Sequence, residues 1–332
     1  MNQLVKEKLD RLIDLFQQVS SEYKWEGSLT NHFTALTYTL NNREFDKEKI
    51  KDLRKYINQN TGIFSNYRGT SNIILSALLS SKYESPKQEF DRILDYDKKM
   101  RKAGYKNNMY LPIASYALLV SCSEEWAEKR INKALEIYKE MKKNHPWLTS
   151  GDDYPLSILL ANSESSISSI IENMEECYNL LSENGFHKNN GLQFLSHILG
   201  FRQEDNKVKA QRCKEIFDKL KDNKLKVYSS GYAIIGFLSI LGEKGYEAVD
   251  QVIEVVSILK STKKYKWLTK ETHLYTAAAL VSDVFIENMK DQKDLIQTAI
   301  GISIETLIAA QTVATIAAAS SASAAAGASA SS

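Results

Sequence analysis

An internal repeat of about forty residues is the feature that most constrains how this chain can fold. Several segments begin with an aromatic residue, pass through small polar residues, and enter an apolar run rich in Leu, Ile, Ala and Ser. Five of these segments start at Tyr105, Trp147, Phe186, Tyr228 and Trp267. A repeat of this length indicates stacked helical hairpins, because a single hairpin cannot bury its apolar faces without neighbours.

Small polar residues stand before the apolar runs at regular places. Four of them follow one another at intervals of forty positions, namely Thr149, Asn189, Ser229 and Thr269, and Asn107 has a similar place in the preceding unit. A side-chain oxygen at the start of a helix can accept a hydrogen bond from an exposed backbone N–H group. We therefore predict that these residues are N-caps.

More strongly charged segments lie between the apolar runs, and their apolar residues recur at helical spacing. Ile131, Leu135 and Tyr138, for example, share one face of a helix, with Lys and Glu opposite. We predict these amphipathic helices near 45–57, 87–102, 124–143, 166–183, 207–221 and 246–260. Each repeat thus pairs an apolar inner helix with an amphipathic outer helix. Six or seven such hairpins follow an N-terminal helix near 2–20.

The scarcity of turn-forming residues supports an all-α fold. The chain has only 14 Gly and 4 Pro residues, which favours long helices over the many tight turns of a β-rich protein. Two arrangements of the helical hairpins satisfy the pattern, an open α-solenoid and a closed α/α toroid. The apolar inner helices mildly favour closure, because a groove open to water would carry more polar residues. Both arrangements remain open at this point.

Charge and cysteine content indicate the surroundings of the protein. A net charge of +2 is too small to indicate a nucleic-acid or an anionic-membrane partner. Three widely spaced cysteines, Cys122, Cys177 and Cys213, are typical of reduced thiols rather than of a disulfide framework. The first residues lack the apolar run of a signal peptide. We therefore expect a cytoplasmic protein.

The C-terminal part of the chain differs from the repeats. We divide the chain into a helical-repeat domain at 1–291, an apolar Ala-rich helix at 292–319, and a disordered Ala/Ser tail at 320–332. The stretch from Leu295 to Ala319 has the length and apolar character of a membrane-spanning helix, but Glu305 lies near its middle. We expect this helix to pack on the last repeat, and membrane contact through it is disfavoured.

One loop combines side chains that could form a polar site. The segment HPWLTSGDDYP starts at His145, and its nearest internal relative is WLTKETH, which starts at Trp267. The candidate residues of the two segments are His145, Trp147, Asp152, Asp153, Tyr154, Glu271 and His273. In a functional interpretation, the carboxylates and imidazoles bind a cation or act as acid and base where the inner helices begin. In a structural interpretation, the acidic residues complement helix dipoles and the tryptophans pack each loop on its neighbour.

Motifs for metals and cofactors do not occur in the sequence. The five histidines show no HxxxH, HExxH or HxH spacing, so we expect no dedicated metal site. The glycines form neither GxGxxG nor GxxxxGK[ST], and no nucleophile elbow is present, so we expect no nucleotide or other cofactor. His197, inside an apolar run, is interpreted as a core histidine.

Two phrases and the Ala/Ser-rich end carry a resemblance to a known family. HPWLTSGDDYP and GYKNNMYLPIASYALL resemble an uncharacterised family of Gram-positive bacterial proteins that is defined only as a domain of unknown function. The similarity runs nearly end to end. It implies a bacterial cytoplasmic protein and implies no activity, substrate or catalytic residue.

Two functions from different classes fit these observations. The first is a non-enzymatic helical-repeat scaffold that binds a protein or peptide on its long surface. The second is an enzyme or small-molecule-binding protein on a closed α/α toroid, with Asp152 and Asp153 at the mouth of its cavity. The fold alone cannot decide between them, because unrelated functions share one fold. Convergence of Asp152, Asp153 and His273 on one deep pocket would favour the second.

Overall fold

The computed structural model describes residues 1–287 and Ala309, except for the side chain of Trp267. Within these residues the chain forms fourteen α-helices and no β-strand, so the predicted all-α class is confirmed. The odd-numbered helices are α1 Gln3–Glu22, α3 Lys47–Asn60, α5 Pro86–Ala103, α7 Ala127–Asn144, α9 Ile167–Glu183, α11 Asn206–Asp222 and α13 Lys244–Ser261. The even-numbered helices are α2 Ser28–Leu40, α4 Thr70–Lys82, α6 Leu111–Ser121, α8 Tyr154–Leu160, α10 Asn190–Leu199, α12 Tyr232–Ser239 and α14 Lys270–Glu287.

The two sets of helices differ in how they are buried. Every residue of α4 from Ser71 to Ser81 is buried, and α2 is buried continuously from Thr30 to Thr39. The odd-numbered helices bury one face only, as α7 does with Ile131, Leu135 and Met141. The apolar runs therefore form the even-numbered helices and the amphipathic segments form the odd-numbered ones. Each of the six predicted amphipathic helices agrees with the structure to within a few residues.

Neighbouring helices pack in a regular order. Each odd-numbered helix packs on the even-numbered helix that follows it, and even-numbered helices also contact one another, as α2 does with α4, α6 with α8, and α10 with α12. Odd-numbered helices pack side by side in the same way, as α9 does with α11. In addition, α14 contacts both α1 and α2, although these helices lie at opposite ends of the described sequence.

This contact between the first and last hairpins, called here the seam, combines polar and aromatic interactions. Lys8 of α1 forms ion pairs with Asp283 and Glu287 of α14. The imidazole of His32 lies between the Tyr265 hydroxyl, at 3.3 Å from its Nδ1, and the Thr276 hydroxyl, at 2.8 Å from its Nε2. His32, Tyr265 and Thr276 are all buried, so the seam continues the core from α14 to α2.

The predicted N-caps are confirmed at two of the four positions spaced by forty. The Asn189 side chain accepts from the backbone N–H of Leu192 at 3.1 Å, and the Thr269 hydroxyl accepts from that of Thr272 at 3.1 Å. The prediction is wrong at Thr149, which is buried and instead donates to the Met141 carbonyl.

Next to Thr149, Ser150 forms a capping box with Asp153 at the start of a short 3-10 helix, Gly151–Asp153. The other two predicted caps, Ser229 and Asn107, are displaced as well. Ser229 is the first residue of another 3-10 helix, Ser229–Gly231, whose N-cap position is occupied by Tyr228. Asn108, rather than Asn107, accepts from the Tyr110 N–H before α6. The sequence pattern located these loops correctly, but short 3-10 helices follow Thr149 and begin at Ser229, so neither residue caps an α-helix.

The expectations for the C-terminal part lie outside the described residues. Of 288–332 the structure describes only Ala309, which is helical and buried. The boundary at 291, the helix at 292–319 and the tail at 320–332 stay predictions.

Replacing a capping side chain should lower stability only where the side chain makes the cap. We expect Asn189→Ala and Thr269→Ala each to lower the free energy of unfolding by about 1 kcal/mol, because a backbone N–H loses its acceptor. Ser229→Ala is the matched control and should change it by less than about 0.5 kcal/mol. Urea denaturation followed by circular dichroism measures all three, and equal losses would contradict the assignment of the caps.

Candidate functional site

Seven loops join each odd-numbered helix to the next even-numbered helix, and they are called here the rim loops. They cover residues 23–27, 61–69, 104–110, 145–153, 184–189, 223–231 and 262–269. All sequence-predicted site residues lie in these loops or in the first turn of the helix that follows. The rim loops therefore define where a candidate site has to be sought.

Successive rim loops contact one another. Asn66 donates to the Asn107 side chain at 2.8 Å, which links the second loop to the third. The backbone N–H of Lys106 donates to the Tyr154 hydroxyl at 3.2 Å, which links the third loop to the start of α8. A Cβ atom on Gly191 would come within 1.8 Å of the Ser229 carbonyl oxygen, so only glycine permits this close approach. The rim loops thus lie together at one end of the helices.

Large apolar side chains stand exposed on this end. Among the described residues, the three most exposed large hydrophobic side chains are Trp25, Phe64 and Trp147, at 97%, 95% and 95% exposure. All three lie in rim loops, and so do exposed Ile63 and Tyr228. Single exposed apolar residues are ordinary, but five in the loops of one end of a molecule indicate an interaction surface.

The rim loops are also basic. They contain nine Lys or Arg residues and three Asp or Glu residues. Exposed lysines lie in five of the seven loops, and two of the three acidic residues are neutralised or buried, Glu26 by an ion pair of 2.7 Å with Arg54 and Asp153 in the interior. The six loops at the other end of the helices, each from an even-numbered to an odd-numbered helix, contain two Lys or Arg and nine Asp or Glu. The small net charge therefore conceals two ends of opposite charge.

Helix dipoles do not account for this separation of charge. The C-terminus of a helix favours basic side chains and the N-terminus favours acidic ones. Each rim loop follows the C-terminus of one odd-numbered helix and precedes the N-terminus of one even-numbered helix, so this end of the molecule has seven helix termini of each kind. The two preferences oppose each other at this end, so the excess of lysine needs another explanation.

An open groove lies beside the first rim loop. It has a volume of about 370 Å³ and is lined by Tyr23, Lys51, Arg54, Lys55, Asn58 and Gln59. Three of these six residues are cationic, and the guanidinium of Arg54 lies 5.8 Å from the centre of the Tyr23 ring. The groove therefore extends the basic character of the rim onto α3.

Asp152 and Asp153 lie next to each other but in different surroundings. Asp153 is buried, accepts from the Ser150 N–H at 2.9 Å, and has an oxygen 3.8 Å from Nδ1 of His197. Burial raises the pKa of Asp153 well above its usual range, and the neighbouring carboxylate of Asp152 raises it further. Asp152 binds the side chains of Ser150 and Asn190 instead. Both carboxylates thus hold loop and helix starts in place.

His145 lies near this pair. Its Nε2 is 3.0 Å from both carboxylate oxygens of Glu175, and its ring packs on Tyr178. His145 and Asp153 both neighbour His197, whose pKa burial lowers to about 3, with a smaller contribution from His145. His145, Asp152 and Asp153 are therefore brought together, around a neutral histidine that the sequence pattern assigned to the core.

The second candidate group lies elsewhere. His273 is buried at the seam, where its Nε2 is 2.7 Å from the Tyr265 carbonyl oxygen and its ring centre is 6.4 Å from that of Tyr265. Glu271 is exposed beside the sixth rim loop, with Oε1 3.5 Å from the position of a Cβ atom on Gly231. The contacts of His273 and those of Asp153 thus involve different helices, and the described contacts do not join them into one site.

Two further residues differ from their predicted roles. Trp147 is exposed rather than packed on a neighbouring loop, so the structural interpretation of it was wrong. Tyr154 is buried with Tyr105 and Tyr138 at ring-centre distances of 4.8 and 4.7 Å. Tyr232, two hairpins later, occupies the corresponding place, and its hydroxyl accepts from the His187 N–H at 3.2 Å. Tyr154 therefore belongs to a recurring core cluster.

No group of three His, Cys, Asp or Glu side chains is arranged to hold a metal ion within residues 1–287. In the same part of the chain, no helix is both long and apolar enough to cross a bilayer.

Sequence reasoning missed the exposed residues Trp25, Ile63 and Phe64 and the charge difference between the two ends. Counting charges separately for alternate loops would have found the second signal.

Comparison with known proteins identifies the family of this chain. The chain belongs to a family described as Protein of unknown function (DUF4003), which matches residues 15–313. It is 30% identical over 313 residues to "Uncharacterized protein YeaA" of Bacillus subtilis (strain 168), covering 93% of this chain and 92% of the relative. No solved structure matches the chain significantly. The resemblance to a family of unknown function is confirmed, and these comparisons assign no activity.

The buried histidines should make the fold sensitive to acid. Burial holds the pKa of His32 and of His197 at about 3, whereas an unfolded histidine titrates near 6.5. Between these values each of these histidines binds more protons in the unfolded chain, so its contribution to stability is greatest above pH 6.5 and falls as the pH decreases. The raised pKa of Asp153 acts in the opposite direction. Each histidine should contribute a loss of up to about 1.4 kcal/mol per pH unit.

Urea denaturation between about pH 4 and pH 6 measures this slope. We expect His197→Gln to be less stable overall but to have a flatter dependence on pH. His187→Gln, at an exposed position, is the control and should retain the original slope. A slope that His197→Gln leaves unchanged would contradict the prediction.

Proposed function

We propose that this chain is a non-enzymatic binding protein, built as a closed α/α toroid of seven hairpins, that binds its partner with the rim loops. The observation that carries this proposal is the set of exposed apolar side chains in the rim loops, led by Trp25, Phe64 and Trp147. Such a surface on one end of a protein is typical of an interaction site.

Closure of the ring is supported by the seam. In an open solenoid the first and last hairpins lie far apart, and terminal repeats present polar outer faces to water. Here α14 packs on α1 and α2, and the amino group of Met1 pairs with Glu254 of α13 at 2.6 Å. Seven even-numbered helices spaced about 9 Å apart would form an inner circle about 20 Å across.

The alternative of an enzyme with Asp152 and Asp153 at its active site has less support. Asp153 and His197 are 3% and 1% exposed, and a substrate needs access to the groups that act on it. The two carboxylate oxygens of Asp152 accept from Ser150 and Asn190, and Nε2 of His145 lies 3.0 Å from Glu175. A cluster with these contacts is better suited to hold loop 145–153 than to exchange protons with a ligand.

The cellular setting forms part of the proposal. The described cysteines Cys122, Cys177 and Cys213 are free thiols, and the related protein comes from a bacterium. Both observations favour a protein of the bacterial cytoplasm. A protein or peptide partner was expected from the repeat pattern, and the exposed rim supports binding without specifying the class of partner.

A double-mutant cycle across the seam tests ring closure. Lys8→Ala, Asp283→Ala and the double variant should show a coupling energy of about 0.5 kcal/mol or more, because the two partly buried side chains form an ion pair. Denaturation in urea gives the three values. Lys214 and Asp218, an ion pair within α11, provide a control cycle that closure does not affect. Strict additivity of the seam variants would indicate an open solenoid.

Photo-crosslinking in bacterial cells tests the binding surface. A photoreactive phenylalanine derivative at position 25 or 147 should give adducts, with protein or with lipid, at several times the yield obtained at position 126. Trp126 is a matched control because it is also an exposed tryptophan, at 53%, but lies at the opposite end of the helices. Equal yields at the three positions, or no adduct at any of them, would contradict binding by the rim.

A further inference from the structure

We propose that the partner of the rim loops is the surface of an anionic lipid bilayer, an inference that rests on the binding function proposed above. The rim joins two features that peripheral membrane proteins need, exposed aromatic and aliphatic side chains that enter the headgroup region and lysines that attract anionic lipids. Trp25, Ile63 and Phe64 supply the first in adjacent loops, and Trp147 and Tyr228 supply it further along.

The charges of the rim loops are arranged for an anionic surface. Lys24 precedes Trp25, Lys226 lies 4.7 Å from the ring centre of Tyr228, and Lys263 and Lys264 lie exposed in the last rim loop. The acidic loops at the opposite end would face away from a bilayer that contacts the rim. In one orientation, therefore, the rim lysines are attracted to the bilayer while the acidic loops lie far from it, although the net charge of the chain is only +2.

The positions of the apolar side chains favour a broad, flat partner. Trp25 lies in the first rim loop and Trp147 in the fourth, so a seven-membered ring places them nearly opposite each other, about 30 Å apart. A short peptide cannot reach both residues together with Phe64 and Tyr228. A bilayer can, because each side chain enters the headgroup region independently and no complementary shape is needed.

Other partners fit these residues less well. The core of a protein interface is contiguous and depleted of charge, whereas lysines separate the exposed apolar residues here. Single-stranded nucleic acid binds along a basic groove and stacks its bases on aromatic rings. Ile63, which is 74% exposed beside Phe64, offers no such stacking surface but is suited to a lipid environment.

Sedimentation with lipid vesicles tests the proposal on the full chain. We expect binding to vesicles of equal parts phosphatidylcholine and phosphatidylglycerol, and at least tenfold weaker binding to vesicles of phosphatidylcholine alone. Raising the salt from about 0.1 M to about 0.5 M should weaken binding several-fold, because the lysines are screened.

Two sets of variants assign this binding to the rim. The double variant Trp25→Ala/Trp147→Ala should bind at least tenfold more weakly, and Lys24→Gln/Lys106→Gln/Lys188→Gln should bind more weakly with a smaller dependence on salt. Trp126→Ala is the matched control and should bind as the original chain does. All these positions are exposed, so thermal unfolding should be unchanged and loss of folding can be distinguished from loss of binding. Every variant retains residues 288–332, so any lipid affinity of that segment is common to all.

Three outcomes would overturn the inference. Equal binding to neutral and anionic vesicles, or binding that the rim variants leave unchanged, would exclude recognition by the rim. Absence of vesicle binding, combined with self-association that Trp25→Ala/Trp147→Ala abolishes in sedimentation velocity, would identify the acidic end of a second copy as the partner. Absence of vesicle binding with protein adducts at positions 25 and 147 would leave the proposed function intact and exclude the lipid partner.

Discussion

Burial of most of the surface of the even-numbered helices is the constraint on which the rest of the structure depends. A helix such as α4, which has eleven consecutive buried residues, must have packed neighbours on every side. Its own hairpin supplies one neighbour, adjacent even-numbered helices supply two more, and the odd-numbered helices cover the outside. At the two ends of such a row the requirement remains unmet unless α14 and α2 meet, which gives the seam its importance for the proposed ring.

Packing of the helices in this order determines where the loops lie. Those that precede even-numbered helices come together at one end, where the hydrogen bonds of Asn66, Lys106 and Asn190 connect them. Several polar side chains of the loops are used in these connections. Trp25, Phe64 and Trp147 are not, and they remain in water although their burial would be favourable. Exposed apolar residues of this kind are typical of an interaction surface, and both the proposed binding by the rim loops and the proposed bilayer partner depend on them.

The seam also shows how polar groups are accommodated in a packed interior. His32 forms hydrogen bonds with Tyr265 and Thr276, and the low pKa of His32 keeps its imidazole neutral, so these three side chains bury no charge. Lys209 solves the same problem differently, since its ammonium group binds Asn173 and two backbone carbonyls between α9 and α11. These clusters join helices, and their titrating groups have structural partners.

The sequence by itself determined the helical class, the alternation of apolar and amphipathic helices, and the places of the loops, because these depend on local periodicity. It also determined Asn189 and Thr269 as caps, since a cap is a contact between residues three apart in sequence. The roles of Thr149, Trp147 and His273 were decided only by the tertiary structure. Their surroundings come from Gln193 on α10, from open solvent and from the seam, none of which local periodicity specifies. The separation of charge between the ends was present in the sequence, but it gained meaning only when packing brought alternate loops together.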